Sequence, residues 1–168
     1  LDAYRTWGED CVDHLLGDFA FAIWDERRQQ LFLARDHFGA KPLTYHSNDD
    51  FFAFASDSRS VVGLADVANT INRDRVFDFF NGWTEWADFT STMFSSVHRL
   101  QSAHVVTVSW SDQRLRRYWH LPEPEMLRLT TDAEYEEATR EVLDSAIACR
   151  LRGRDDIGVV LSGGIDSS

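Results

Sequence analysis

The residues whose types and spacing suit chemistry stand at the end of the chain, in Ser162-Gly163-Gly164-Ile165-Asp166-Ser167-Ser168. Paired glycines let the backbone approach a ligand closely, and successive N–H groups at the start of a helix favour an anion. Ser162, Ser167 and Ser168 add hydroxyl donors. Asp166 is itself an anion and would repel phosphate, so its chemistry is that of a Mg²⁺ ligand bridging to phosphate oxygens. The Gly-Lys-Ser/Thr ending of a Walker loop is missing. An ordinary turn and helix cap uses the same Gly-Gly pair, but the apolar run ahead of it and the filled Ser and Asp positions favour a phosphate loop.

Such a loop needs elements to hold it. Residues 157–161 form a continuous apolar run, the pattern of a parallel strand buried on both faces. In open α/β sheets ligands bind beyond the carboxyl ends of such strands. Thr131-Asp132-Ala133-Glu134 is a capping box that predicts a helix start. Beyond it Tyr135, Ala138, Val142, Ala146 and Cys149 share one face, with Leu143 and Ile147 beside them. Arg150, Arg152 and Arg154 follow near the C-terminal end, where cations suit the helix dipole. Residues 121–125, Leu-Pro-Glu-Pro-Glu, read as a linker.

Upstream the patterning changes to short strands. Residues 1–16 carry Tyr4, Trp7, Cys11 and Leu15 at helical spacing, until Gly17-Asp18 breaks the helix. Residues 19–24 suit a strand buried on both faces, and residues 31–35 its returning partner. Residues 42–45 and 51–55 read as two more strands of an antiparallel meander. A short helix runs from Asn72 or Arg73 to Phe80 and stops at Asn81-Gly82. Residues 104–110 and 114–119 form a last hairpin. Phe79, Phe80, Trp83, Trp86 and Phe89 are expected to pack in a core or between domains.

Composition narrows the classes. The 168 residues are 43% hydrophobic and 13% aromatic, enough for a packed core and incompatible with disorder. The net charge of −11 argues against a nucleic-acid surface, which needs clustered Lys and Arg. No apolar run approaches the ~20 residues of a membrane-spanning helix, and no signal segment opens the chain. Cys11 and Cys149 have no CxxC spacing, so each is expected to be a buried, inert thiol. The six histidines show no ligand spacing, and His98, His104 and His120 receive no role. These features predict a soluble, cytoplasmic chain. A start without Met and an end inside a ligand loop predict an internal piece of a longer polypeptide.

Residues 162–168 resemble the pyrophosphate loop of ATP-pyrophosphatase domains. Residues 7–11, 17–25 and 31–43 resemble the later half of the glutaminase domain of glutamine-hydrolysing asparagine synthetases. Phe54-Ala55-Ser56-Asp57 stands where that family usually has Phe-Ala-Ser-Glu, and Arg117-Tyr118-Trp119 resembles its closing strand. The resemblance implies an α+β N-terminal-nucleophile amidotransferase sandwich (αββα, partial) over residues 1–120. A linker follows over 121–130, then the first helix and strand of an α/β adenine-nucleotide-binding domain over 131–168. It also implies substrates: ATP, glutamine, and aspartate or another carboxylate, with Mg²⁺ as cofactor, no nucleic acid and no membrane. Homodimerisation is one assembly it allows.

Carried over by position, the resemblance gives Ser162, Gly163, Gly164, Ser167 and Ser168 to the ATP phosphates. Asp166 goes to Mg²⁺, and Leu161 lies near the nucleotide. It assigns no catalytic residue, because the family's nucleophile is an N-terminal cysteine with its own α-amino group as activator, and this chain begins with Leu1. The chain taken alone is therefore expected not to hydrolyse glutamine. Asp36 and His37, side by side in residues 35–42, point to opposite faces of an extended backbone and are not expected to form an acid–base pair. That stretch reads as a structural turn, with Gly39 at a demanding angle and Arg35 or Lys41 in ion pairs. Two alternatives stay open: a relative that adenylates a carboxylate but closes a ring, of lasso-peptide or β-lactam type, and a non-catalytic fragment. Ile165, where the synthetases often carry Leu, does not separate them.

Overall fold

The computed structural model describes residues 1–82, 88–153 and 156–164, and divides into two compact units, Leu1–Pro122 and Glu123–Ser168. In the first unit, β1 (Ala20–Asp25), β2 (Gln30–Arg35), β6 (His104–Ser109) and β7 (Gln113–Arg117) form an antiparallel sheet in the order β1-β2-β6-β7. A second sheet, β4-β3-β5, is built from β3 (Thr44–Ser47), β4 (Phe52–Ala55) and β5 (His98–Arg99).

The two-sheet arrangement follows from which strands are apolar on both faces. In β2, Phe32 and Ala34 point to one side and Leu33 to the other, and all three are fully buried. That strand takes an interior place, with β1 on one flank and β6 on the other. Phe32, Ala34 and Val105 pack under Tyr4, Cys11 and Val12, which come from helix α1 (Asp2–Trp7) and the 3₁₀ turn Gly8–His14. On the opposite face Leu33 and Val106 meet Leu43, Leu100, Tyr45 and Phe52, closing the space between the sheets. Beyond the second sheet, Ala53 and Ala55 pack on Val61, Val62, Val67 and Val97, with helix α2 (Ser58–Val62) as cover. The layers run helix, sheet, sheet, helix. Each fully buried large apolar side chain contributes about 1.5–3 kcal/mol to this stack.

Several expectations need correction. The predicted single meander is two sheets, because β2 passes to β6 rather than to β3. The helix over residues 1–16 stops at Trp7, where Gly8 takes φ +62°, and continues as 3₁₀ to His14. Its buried residues are Tyr4, Cys11 and Val12, while Trp7 is exposed. Strand β1 is half-buried rather than enclosed, since it is the outer strand of its sheet, and Trp24 is 52% exposed. Helix α3 (Arg73–Phe80) forms as expected, with the Asn72 side chain accepting the Arg75 N–H. Phe79, Phe80 and Phe89 lie in the open, because no described element packs over them; Trp83 and Trp86 fall outside the described residues.

The stretch after β2 is the turn that the sequence suggested. Asp36 is 1% exposed, and its carboxylate accepts the N–H groups of Phe38, Ala40 and Lys41 at 2.8–3.2 Å. Among the described residues neither Arg35 nor Lys41 forms an ion pair there, contrary to the expectation that one of them would. The Arg35 guanidinium donates to the carbonyls of Gly39, Lys41 and Leu100 at 2.6–2.7 Å. Gly39, at φ +69°, sits so close to this fork that a Cβ would lie 3.0 Å from the guanidinium carbon. Tyr118 donates its hydroxyl to the Arg35 carbonyl at 2.8 Å, and burial pushes its ionisation well above the ordinary tyrosine value. His37 lies edge-on to Phe19, Tyr118 and Trp119, away from the Asp36 carboxylate contacts.

In the second unit, α4 (Asp132–Leu151) begins at the predicted capping box. The Thr131 hydroxyl accepts the Glu134 N–H, and the Glu134 carboxylate accepts the N–H groups of Thr130 and Thr131. Its apolar face is uncovered, with Tyr135, Val142, Leu143 and Ile147 all exposed. Cys149 is likewise exposed, not buried as expected, because it rides on this uncovered face; Cys11 is buried, which raises its thiol pKa.

Two predictions test this account. Burial of Asp36 disfavours its charge, but the N–H groups of Lys41, Ala40, Phe38 and Gly39 outweigh that and hold its pKa below the ordinary value. Its ionised form therefore stabilises the fold above the unfolded value of about 3.9, and this contribution is lost as pH falls through the folded value. Removing the acceptor in Asp36→Ala should cost about 3 kcal/mol at neutral pH, since three amides lose a charged partner. Urea titrations across pH should show that penalty shrinking in acid, and a pH-independent penalty would refute the assignment. In α4, Thr131→Ala should cost the helix about 1 kcal/mol, and Thr131→Ser should restore it. The readout is amide exchange at Glu134, which should speed up in the alanine variant alone.

Candidate functional site

The glycine-rich loop at residues 162–168 is described as far as Gly164; Ile165, Asp166, Ser167 and Ser168 lie outside the described residues. Gly163 takes φ +77°, and nothing stands within 4 Å of where its Cβ would be. The backbone is thus in the left-handed region and open on that side, a conformation that a residue without Cβ takes without strain. The Gly164 N–H donates to Ser162 Oγ at 3.4 Å. Leu161 is 67% exposed.

The run before the loop departs from expectation. Residues 157–161 form no strand, and Ile157, Val159, Val160 and Leu161 are exposed. A parallel strand draws its hydrogen bonds and its two-sided burial from neighbours. Among the described residues of the second unit no other strand exists to supply them. The β-branched, apolar composition that predicts the strand is present, and no partner to fix it stands among the described residues of this unit.

Of the predicted site residues, Leu161, Ser162, Gly163 and Gly164 are consecutive and mutually close, and their chemistry is a hydroxyl with two backbone amides. That set fits an anionic phosphate. A divalent cation needs oxygen ligands, normally carboxylates. The carboxylate assigned to it, Asp166, is two residues beyond the described loop. No cluster of three or more His, Cys, Asp or Glu side chains suited to a metal occurs among the described residues.

The first unit holds several concave surfaces among its described residues. A cavity of about 270 Å³ lies at one end of the intersheet space, lined by Trp24, Leu31, Phe52, Val108 and Trp110 with Asp49 and Asp50 at its rim. Cys11, the buried thiol of this unit, is enclosed by Tyr4, Phe32 and Val105. Thiolate is the reactive form, and burial raises the Cys11 pKa, so this residue is inert as expected. No helix among the described residues is long and apolar enough to cross a membrane.

Comparison with known proteins accounts for both units. Residues 1–119 match the family described as glutamine amidotransferase domain, and residues 138–168 match the family described as asparagine synthase. The chain is 32% identical over 168 residues to asparagine synthetase [glutamine-hydrolyzing] 3 of Bacillus subtilis, an alignment covering 100% of this chain and 27% of that protein. It is 34% identical over 168 residues to a putative asparagine synthetase [glutamine-hydrolyzing] of Methanocaldococcus jannaschii, covering 98% and 28% respectively. Similarity extends to a fungal protein named amidase chry2, from Gibberella zeae, at 31% identity over 171 residues, 98% of this chain and 24% of that one. The chain thus spans about a quarter of the length of these relatives. With most of its length matched as one domain and its final residues as another, the chain belongs to the glutamine amidotransferase domain family and carries, after that domain, the start of an asparagine synthase domain, as in the glutamine-hydrolysing asparagine synthetases.

Proposed function

We propose that the polypeptide carrying this chain is an ATP-dependent, glutamine-using asparagine synthetase. The observation that supports this most is the order of the two matches on one chain, amidotransferase over 1–119 and synthase over 138–168, with the glycine-rich loop inside the second. In this reading residues 1–120 are the later part of an N-terminal-nucleophile amidotransferase domain, 121–130 a linker, and 131–168 the opening of the synthetase domain. The helix–sheet–sheet–helix layering of the first unit is consistent with that class.

The chemistry proceeds in two transfers. An oxygen of the aspartate side-chain carboxylate attacks the α-phosphorus of ATP, and pyrophosphate leaves, giving an acyl-adenylate. Ammonia, derived from the glutamine amide, attacks the acyl carbon; AMP leaves and the amide forms. Ser162, Gly163, Gly164, Ser167 and Ser168 hold the phosphates in this scheme, with Leu161 beside the nucleotide. Asp166 holds Mg²⁺, which neutralises phosphate charge when bound. The open left-handed turn at Gly163 supports the assignment, since only a residue without Cβ takes that angle without strain.

A ring-closing relative remains the second reading, since the chain's relatives are not all named synthetases: two fungal proteins at 31% and 32% identity are named amidases. The test is AMP and pyrophosphate release by the whole polypeptide with ATP, Mg²⁺ and aspartate, supplied with glutamine, ammonia or neither. Nitrogen-dependent AMP and asparagine formation is the expected result. AMP formed without any nitrogen donor, on a peptide or β-amino-acid carboxylate, replaces the synthetase by the cyclase. No AMP with any carboxylate overturns both. Gly163→Val should lower the rate of AMP formation about tenfold or more, the effect of about 1–3 kcal/mol of backbone strain.

A further inference from the structure

The C-terminal end of α3 holds two neighbours whose chemistry the proposed function does not use. Asn48, Asn69 and Asn72 precede Asp49, Thr70 and Arg73, whereas Asn81 precedes Gly82. An asparagine before a glycine is prone to cyclise, because no Cβ hinders the glycine nitrogen on its way to the side-chain amide carbon. Both residues are exposed here, and nothing stands within 4 Å of where a Gly82 Cβ would be. Gly82 takes φ +72°, an angle that keeps most other residues out of this position.

The closed turn holds the reacting atoms apart. Asn81 caps α3 at φ −89° and ψ 2°. Its Nδ2 donates to the Phe77 carbonyl at 2.8 Å, which also accepts the Asn81 N–H at 3.1 Å. The Gly82 N–H donates to the Phe79 carbonyl at 3.3 Å. Cyclisation brings Gly82 N against Asn81 Cγ, so ψ must rotate, and the attacking nitrogen and the leaving amide must both release their carbonyls. Helix α3 has 8 residues, a length that has little stability of its own. Helix ends fray, and local opening is cheapest there.

We propose that Asn81 is a site of spontaneous deamidation, with the Gly82 backbone nitrogen as nucleophile and opening of the last turn of α3 as the gate. In the open turn Gly82 N attacks Asn81 Cγ and gives up its proton. The side-chain amide leaves with that proton as ammonia, and a five-membered succinimide closes. Water then adds to either ring carbonyl, giving aspartate or, with the backbone rerouted through the side chain, isoaspartate. Both products carry a carboxylate where Nδ2 had donated to Phe77. That charge lies at the negative end of the helix dipole and opposes reclosure. Isoaspartate also adds a methylene to the backbone, which shifts the Gly82 N–H away from the Phe79 carbonyl. A transient opening thus becomes permanent, on the helix that exposes Phe77, Phe79 and Phe80.

The test incubates the 168-residue chain at neutral pH, native and unfolded in urea, and follows each asparagine by peptide mapping. Asn81 should convert to a mixture of aspartate and isoaspartate, more slowly in the native chain than in the unfolded one. The ratio of those rates should equal the protection of the Gly82 N–H against hydrogen exchange. Asn72→Ala removes the acceptor of the Arg75 N–H at the far end of α3. It should speed the native reaction about fivefold and leave the rate in urea unchanged. Asn81→Gln, which would need a larger ring, should stay intact over the same interval. An Asn81 still intact in the native chain, beyond the time its Gly82 protection predicts, overturns the proposal. Equal rates in native and unfolded chains overturn it as well, as does a native rate that Asn72→Ala leaves unmoved while the far-UV spectrum stays native. Where that variant does not fold, the rate ratio against exchange protection decides alone.

Discussion

The first unit depends on the pair Arg35 and Asp36 at the end of β2. One side chain is acidic and the other basic, yet they do not spend their charge on each other. Asp36 gathers the N–H groups of the turn, and Arg35 gathers its carbonyls together with that of Leu100. The same turn carries the chain from the first sheet to the second, and Leu100 lies between β5 and β6 on the return path. Backbone that crosses between layers is buried, and buried N–H and C=O groups need partners. Two adjacent side chains of opposite donor character supply them from one place. The Ala103 N–H, donated to the Asp36 carbonyl at 2.8 Å, and the Tyr118 hydroxyl, donated to that of Arg35, extend the same knot to β6 and to the end of the unit.

Much of this unit is legible in the sequence, for local reasons. The strands of the β1–β2 hairpin are announced by apolar runs flanking a polar turn, and α3 by Asn72 at its cap. Gly39 is legible as a turn glycine because it stands between two strand-like runs, residues 31–35 and 42–45. The partition of strands between two sheets is not legible, since it depends on β2 being apolar on both faces and on which distant strand arrives beside it. A run such as Phe32-Leu33-Ala34 says that the strand is enclosed, and nothing in it names β6 as the neighbour. Nor does charge say how it will be used: Arg35 beside Asp36 suggests an ion pair, and only the crowding of carbonyls in the folded turn shows otherwise.

The second unit separates local from non-local coding more sharply. Helix α4 owes its start to four consecutive residues, Thr131 to Glu134, and forms with its apolar face uncovered. Residues 157–161 have equally clear strand composition and form no strand, because a ladder requires a second backbone whereas a helix bonds to itself. The same distinction explains the candidate site. The turn at Gly163 is a property of the glycine and is present, while the strand that would aim it is a property of the neighbours.

Under the proposed function, an acidic chain that handles a triphosphate faces an electrostatic constraint. With 28 carboxylates against 17 basic side chains, the protein's net field repels ATP⁴⁻. Screening at physiological salt confines that repulsion to about 8 Å, so the local donors decide whether the anion binds. Residues 161–168 contain no lysine or arginine. The proposed site must therefore work through backbone amides, hydroxyls and a divalent cation rather than through basic side chains. Paired glycines suit that need because they carry no side chain of their own, and the space where a Gly163 Cβ would stand is open. Asp166, unfavourable to phosphate alone, would become favourable in the proposed scheme by carrying Mg²⁺, because the ion would invert the sign of the charge that the phosphates meet. In the proposed function the loop's composition would thus tie nucleotide binding to the metal more tightly than a lysine-bearing phosphate loop does, and the acidity of the chain would strengthen that dependence.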